Sequence, residues 1–160
     1  MNFEHHWNVH KVEMDKYGFL AGQGLLYTEG LGPCIGICLA YKGWAGIIHS
    51  SHPPHDEQEI GELIAEAKRV IPKGKLPLVR PVLCGSDPDG SGEDEPEEYE
   101  QNRFDAREKA VEILKMAGFG EARVHWSSAG ETAAVFADLV ALRVFVEVDY
   151  NNFEYAILQD

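Results

Sequence analysis

The residues able to do covalent chemistry gather between Thr28 and His55, where Gly30 and Gly32 precede Cys34 and His49 follows the cysteine by fifteen positions. Two glycines bring bare backbone up to Cys34, as a reactive thiol requires if a substrate carbonyl is to approach it and find N–H donors. A cysteine thiol with a pKa of about 8.5 is only partly ionised at neutral pH, and an imidazole that takes its proton makes the thiolate available. The pattern therefore suits nucleophilic attack by Cys34 with His49 as base. The plain alternatives are a small buried thiol and a hydrogen-bonded histidine at a strand end, and the residues alone leave both open. Cys38 lies inside an apolar run and Cys84 at a strand end, so both read as core.

A hairpin is what must bring the pair together. Ile35, Ile37, Leu39 and Tyr41 alternate with the small residues Gly36, Cys38 and Ala40, the pattern of a strand buried on both faces. Lys42-Gly43 reads as a tight turn into a second strand, Trp44 to Ile48, which returns the chain to His49. Around this hairpin, residues 8–14 and 19–27 read as strands. Ile60, Leu63, Ile64, Ala67, Val70 and Ile71 form one face of a helix capped by Asp56 and Glu59 and ended by Pro72. Leu76 to Cys84 reads as an edge strand because it carries Pro77 and Pro81. A second helix is expected to open at Asp105 with Glu108 as capping partner and Phe104 as staple. Its inner face would be Ala110, Val111, Leu114 and Ala117, and Gly118 its cap. Strand-like runs follow at Glu121–Trp126, Thr132–Val148 with a break near Asp138-Leu139, and Phe153–Leu158. No internal repeat is visible.

The 160 residues fit a single domain, 1–160, with one sizeable core. No apolar run is long enough for a membrane span or a signal peptide, which argues for a cytoplasmic chain and against membrane insertion. Three cysteines are too few for a disulfide framework and read as free thiols. A net charge of −13 argues against nucleic acid as partner. Eight of the carboxylates fall between Asp87 and Glu100, and residues 86–100 read as an acidic mobile loop.

In the order and spacing of its key residues the chain resembles the CheD chemoreceptor glutamine deamidases, which are similar in turn to the catalytic domain of cytotoxic necrotizing factor toxins. The resemblance rests on Thr28-Glu29-Gly30-Leu31-Gly32-Pro33-Cys34 and on Gly46-Ile47-Ile48-His49. It implies an α+β fold of two stacked mixed β-sheets flanked by two to three helices, and a catalytic set of Cys34, His49 and Thr28. Gly30 and Gly32 would then lie on the substrate and oxyanion side. It further implies deamidation of a glutamine on a chemoreceptor-like protein partner, glutamate methylesterase activity with the same machinery, a CheC-like regulator, and no cofactor. Thr28 would hydrogen-bond the second imidazole nitrogen and fix the tautomer. The chain departs from the family at Pro33, which removes an N–H just before the nucleophile, at Ser127-Ser128-Ala129-Gly130-Glu131, and in the acidic stretch.

Two rival readings compete. His49, His52 and His55 recur every three residues, and His5, His6 and His10 cluster nearby, as metal ligands do; yet Pro53-Pro54 imposes an extended chain in which residues three apart do not converge. A catalytically silent interaction module would instead use the acidic loop to meet a basic partner.

Overall fold

A computed structural model describes residues 8–51 and 57–160. Its strands are β1 (Val9–Lys11), β2 (Lys16–Ala21), β3 (Leu25–Leu31), β4 (Ile35–Tyr41), β5 (Trp44–Ser50), β6 (Val82–Gly85), β7 (Arg123–Trp126), β8 (Ala133–Asp138), β9 (Arg143–Val148) and β10 (Asn151–Ala156). Helix α1 spans Glu57–Val70, α2 spans Pro96–Met116, and a 3-10 turn covers Lys73–Leu78. Two five-stranded sheets result, in the orders β1-β3-β8-β9-β10 and β2-β5-β4-β6-β7. Each is mixed, because β1 runs parallel to β3 and β6 parallel to β7. The α+β architecture of two sheets and flanking helices is the one expected.

The sheets stack through the faces that alternate inward. Leu26, Val135 and Val146 of the first sheet meet Cys38, Ile47 and Cys84 of the second. The opposite face of the second sheet, carrying Ile37, Leu39 and Ile48, is covered by Ile60, Leu63 and Ala67 of α1 and by Ala110 and Leu114 of α2. Strands β4 and β6 are thus buried on both sides, which explains their near-continuous apolar sequence. The Lys42-Gly43 turn has positive φ at both residues, 33° and 75°, the geometry that joins two twisted strands in a tight hairpin.

Five expectations are corrected. Residues 19–27 do not form one strand, because Gly22 and Gly24 take φ of 97° and 145° and send β2 and β3 into different sheets. Likewise only 9–11 of the 8–14 segment pair as a strand. Leu76–Cys84 is not an edge strand: Pro77 falls in the 3-10 turn, and the ladder starts after Pro81 as an interior strand between β4 and β7. Helix α2 begins at Pro96 rather than Asp105, so the acidic loop ends at Glu95 and Asp105 lies inside the helix, accepting a hydrogen bond from Gln101 at 2.9 Å. Proline at the first turn lacks only an N–H that would be unsatisfied there, and Glu97 and Glu98 favour the positive end of the helix dipole. Gly118 does take the left-handed conformation, φ 102°, just past the helix end. Val70 is exposed, because α1 ends there. The Asp56 cap lies outside the described residues.

The helix assignment makes a test. Asp105→Ala should change stability by no more than about 0.5 kcal/mol, as for an exposed helical site, whereas an N-cap loss costs about 1 kcal/mol. Leu114→Ala, at 1% exposure, should cost about 2–5 kcal/mol in urea unfolding.

Candidate active site

The first sheet delivers Thr28 on β3 and the second delivers His49 on β5. Along β5, Ile47 faces the inter-sheet core and Ile48 the helices, so the two-residue period turns His49 inward with Ile47. Thr28 is fully buried and His49 only 5% exposed, and they meet across the sandwich with Thr28 Oγ1 2.7 Å from His49 Nδ1. Thr28 Oγ1 also donates to the Val12 carbonyl at 2.7 Å. A hydroxyl has one proton and the carbonyl can only accept, so His49 Nδ1 must carry its own proton and give it to Thr28. Nε2 is then the lone-pair nitrogen of the neutral ring, and it is buried with no hydrogen-bond partner.

Cys34 joins the same inter-sheet core, at 5% exposure, just before β4. Gly36 pairs directly with His49 in the β4–β5 ladder, which places Cys34 two residues from that pair along the strand. A Cβ on Gly36 would come within 2.7 Å of Leu31 Cδ1, so glycine is needed opposite the histidine. The expected hydrogen bond between Cys34 and His49 is not formed in this structure, since Nε2 has no partner. Sγ instead lies 4.0 Å from Sδ of Met14, a side chain 57% exposed.

The backbone of the Gly32–Cys34 segment is held from three sides. The Ser86 N–H donates to the Cys34 carbonyl at 2.8 Å, the Asp87 N–H to the Gly32 carbonyl at 2.8 Å, and Arg103 Nη1 to the Pro33 carbonyl at 3.3 Å. Gly85 must be glycine, because its φ is 91° and a Cβ would collide with the Cys34 carbonyl. Arg107 on α2 ties the same end together through the carbonyls of Ser86, at 2.5 Å, and Ser127, at 2.9 Å. Gly30 takes φ 67°, and the space beside both Gly30 and Gly32 is open for 4 Å. The Gly32 N–H is already engaged by the Gly30 carbonyl at 3.0 Å.

Electrostatics favour a neutral imidazole. Burial lowers the His49 pKa from its ordinary 6.5, and it outweighs the nearby carboxylates of Asp15 and Glu13, which pull the other way. Burial pushes the Cys38 thiol up to about 12 and raises Cys84 as well, so neither is a nucleophile at neutral pH.

Of the rival metal cluster, His52 and His55 lie outside the described residues, as do His5 and His6. His10 bonds Asn8 at 2.7 Å, and among the described residues no three His, Cys, Asp or Glu are placed to hold a metal ion. No described helix is long and apolar enough to cross a membrane.

No protein-family model matches the chain, and no curated protein matches it. Among solved structures, the hypothetical protein YfiH of Bacillus licheniformis is similar over 78% of this chain and 61% of that one, with 14% identity and a TM-score of 0.48. The chain spans less than two thirds of that protein's length, and a likeness of chain path at this identity assigns neither substrate nor chemistry.

Val12, Asp15, Ser86 and Arg103 escaped sequence reasoning. They act through backbone atoms or across long separations, and only the Gly85-Ser86 strand end carried a local signal.

The tautomer is directly measurable. In ¹⁵N-resolved imidazole spectra at pH 7.5, His49 should show a protonated Nδ1 and a bare Nε2, titrating below the usual histidine value of about 6.5. Because the folded ring binds its proton less readily than the unfolded chain's, stability is full above that value and falls as the pH drops through it toward the folded pKa. A protonated Nε2 in the neutral ring would contradict the Thr28 assignment.

Proposed function

We propose that the chain is a cysteine-dependent hydrolase of side-chain amides that converts a glutamine of a protein partner to glutamate. The observation that carries this reading is the buried Val12–Thr28–His49 relay, which leaves an unpartnered imidazole lone pair on the core face that also holds Cys34. A structural histidine in a core would have both ring nitrogens satisfied. The resemblance of Thr28–Cys34 and Gly46–His49 to the CheD deamidases supports the substrate class.

His49 Nε2 takes the Cys34 proton, and Sγ attacks the carboxamide carbon to give a tetrahedral adduct. The adduct collapses as Nε2–H passes its proton to the departing nitrogen, releasing ammonia and leaving a thioester on Cys34. Water, deprotonated by His49, then attacks the thioester carbon and yields glutamate and the free thiol. A methyl ester of glutamate would enter the same sequence with methanol as leaving group. Thr28 keeps the ring in the tautomer this requires, and the open space beside Gly30 and Gly32 admits the side chain. The Met14 side chain must shift for the carboxamide to reach Sγ. Arg103, held against the carbonyl of the neighbouring Pro33, adds a positive charge that favours the thiolate.

Two measurements test the reading. Iodoacetamide at pH 7 should label Cys34 well ahead of Cys38 and Cys84, and His49→Ala should slow that labelling. Equal labelling of all three thiols, or a Cys34 rate indifferent to His49, would leave the fold without the catalytic pair. With a glutamine-bearing chemoreceptor fragment, Cys34→Ser should lower ammonia release by about 10²-fold or more while the thermal midpoint stays nearly unchanged.

A further inference from the structure

We propose that the open edge of the sandwich between β7 and β10 is a second ligand site, which binds a small amphipathic carboxylate with its head group on Arg80 and Arg123. A cavity of about 310 Å³ opens there, at the lower end of the about 300–1,000 Å³ typical of small-molecule sites. Its mouth carries exposed Leu78 and Arg80, and its floor is formed by Cys38, Val82 and Val144, none more than 4% exposed. An apolar floor beneath cationic groups suits a hydrocarbon body with one anionic end.

The arginines are arranged to receive an anion. Arg123 lies with its guanidinium 4.1 Å from the centre of the Tyr155 ring, and the Tyr155 hydroxyl is pinned 2.5 Å from His125 Nε2. Its Nε is buried with no hydrogen-bond partner, a cost that a bound carboxylate would remove. Arg80 gives its Nε–H to the Glu121 carbonyl at 2.8 Å, which fixes the side chain along the same cavity. Burial first, and then the nearby Arg80, disfavour the charge on Arg123. Among the described residues no carboxylate forms an ion pair with either. In a chain with 27 acidic and 14 basic residues, two neighbouring arginines without a counter-ion mark a place where an external anion is favoured. A planar guanidinium matches a carboxylate with two parallel N–H···O bonds.

This site is separate from Cys34. Cys38 is four residues further along β4, about 13 Å at the usual strand rise. The inference therefore does not depend on the hydrolase reading.

Titration of the full chain with sodium octanoate, followed by calorimetry and by thermal midpoint, tests it. Octanoate should bind and raise the midpoint, with acetate and inorganic phosphate at least tenfold weaker because neither covers the floor. Imidazole signals of His125 should shift on binding while those of His49 stay. Arg123→Met keeps the apolar stem over Tyr155 and should weaken octanoate at least tenfold. Arg80→Gln, at an exposed position, should weaken it severalfold and guards against a folding defect in the first variant. No octanoate binding, unchanged affinity in both variants, or phosphate binding as tightly as octanoate would overturn the proposal.

Discussion

One buried chain of hydrogen bonds, from the Val12 carbonyl through the Thr28 hydroxyl to His49 Nδ1, fastens the two sheets at the end of the sandwich where Cys34 lies. Around it the inter-sheet space is otherwise filled by aliphatic side chains and thiols, which hold the sheets together without fixing any particular orientation of polar groups. A hydroxyl and an imidazole placed there cost a desolvation penalty of about 1–3 kcal/mol for each unsatisfied atom, so they persist only in the one register that pairs them. Sliding β3 by one residue would turn Thr28 to the outer face and Glu29 inward. The relay thus fixes sheet register and ring tautomer together. Within the relay the one atom left without a hydrogen-bond partner is Nε2.

The hairpin was legible because its information is local. Alternation in Ile35–Tyr41, the Lys42-Gly43 turn and the apolar return are all readable within fifteen residues, and β4 and β5 form where expected. The same holds for the break between β8 and β9 and for the inner face of α2. What failed were boundaries set by competition between elements. Asp105 and Glu108 carry a capping spacing, yet a helix that starts at Pro96 overrides it, because Ala106 then packs with Ala110 and Leu114 on one buried stripe. The prolines before β6 suggested an edge, but both fall ahead of its ladder and leave Val82–Gly85 free to pair on two sides. Membership of a sheet is a long-range property that period alone does not carry.

The acidic stretch shows how composition misleads about position. Read as charge, Asp87 to Glu100 belongs in solvent; its backbone nonetheless begins beside Cys34. The N–H groups of Ser86 and Asp87 fasten it to Cys34 and Gly32, and Asp87 Oδ1 accepts from the N–H groups of Asp89 and Gly130. A carboxylate that satisfies two backbone donors organises a turn rather than repelling its neighbours. Beyond it, Arg103 and Arg107, one helical turn apart on α2, reach carbonyls of Pro33, Ser86 and Ser127 instead of the many nearby carboxylates. A guanidinium with five N–H donors can tie several carbonyls together without forming an ion pair.

Strand β4 connects these constraints. At its start, glycine at position 36, paired with His49, leaves its space to the Leu31 side chain, and at its far half Cys38 and Ala40 form the inner wall of the Arg80–Arg123 cavity. Small residues on one face of a doubly buried strand would normally be filled against by larger ones from the facing sheet. Leu31 does so beside Gly36, but near Cys38 and Ala40 the opposing β10 offers Tyr155, whose ring is turned to Arg123 and whose hydroxyl is held by His125. The sandwich is therefore closed by packing at its centre and left chemically unsatisfied at two ends, by a lone pair at one and by cations at the other. A core stabilised mainly by its apolar centre can carry both, because each unsatisfied group sits where the strands end or the sheet edge opens.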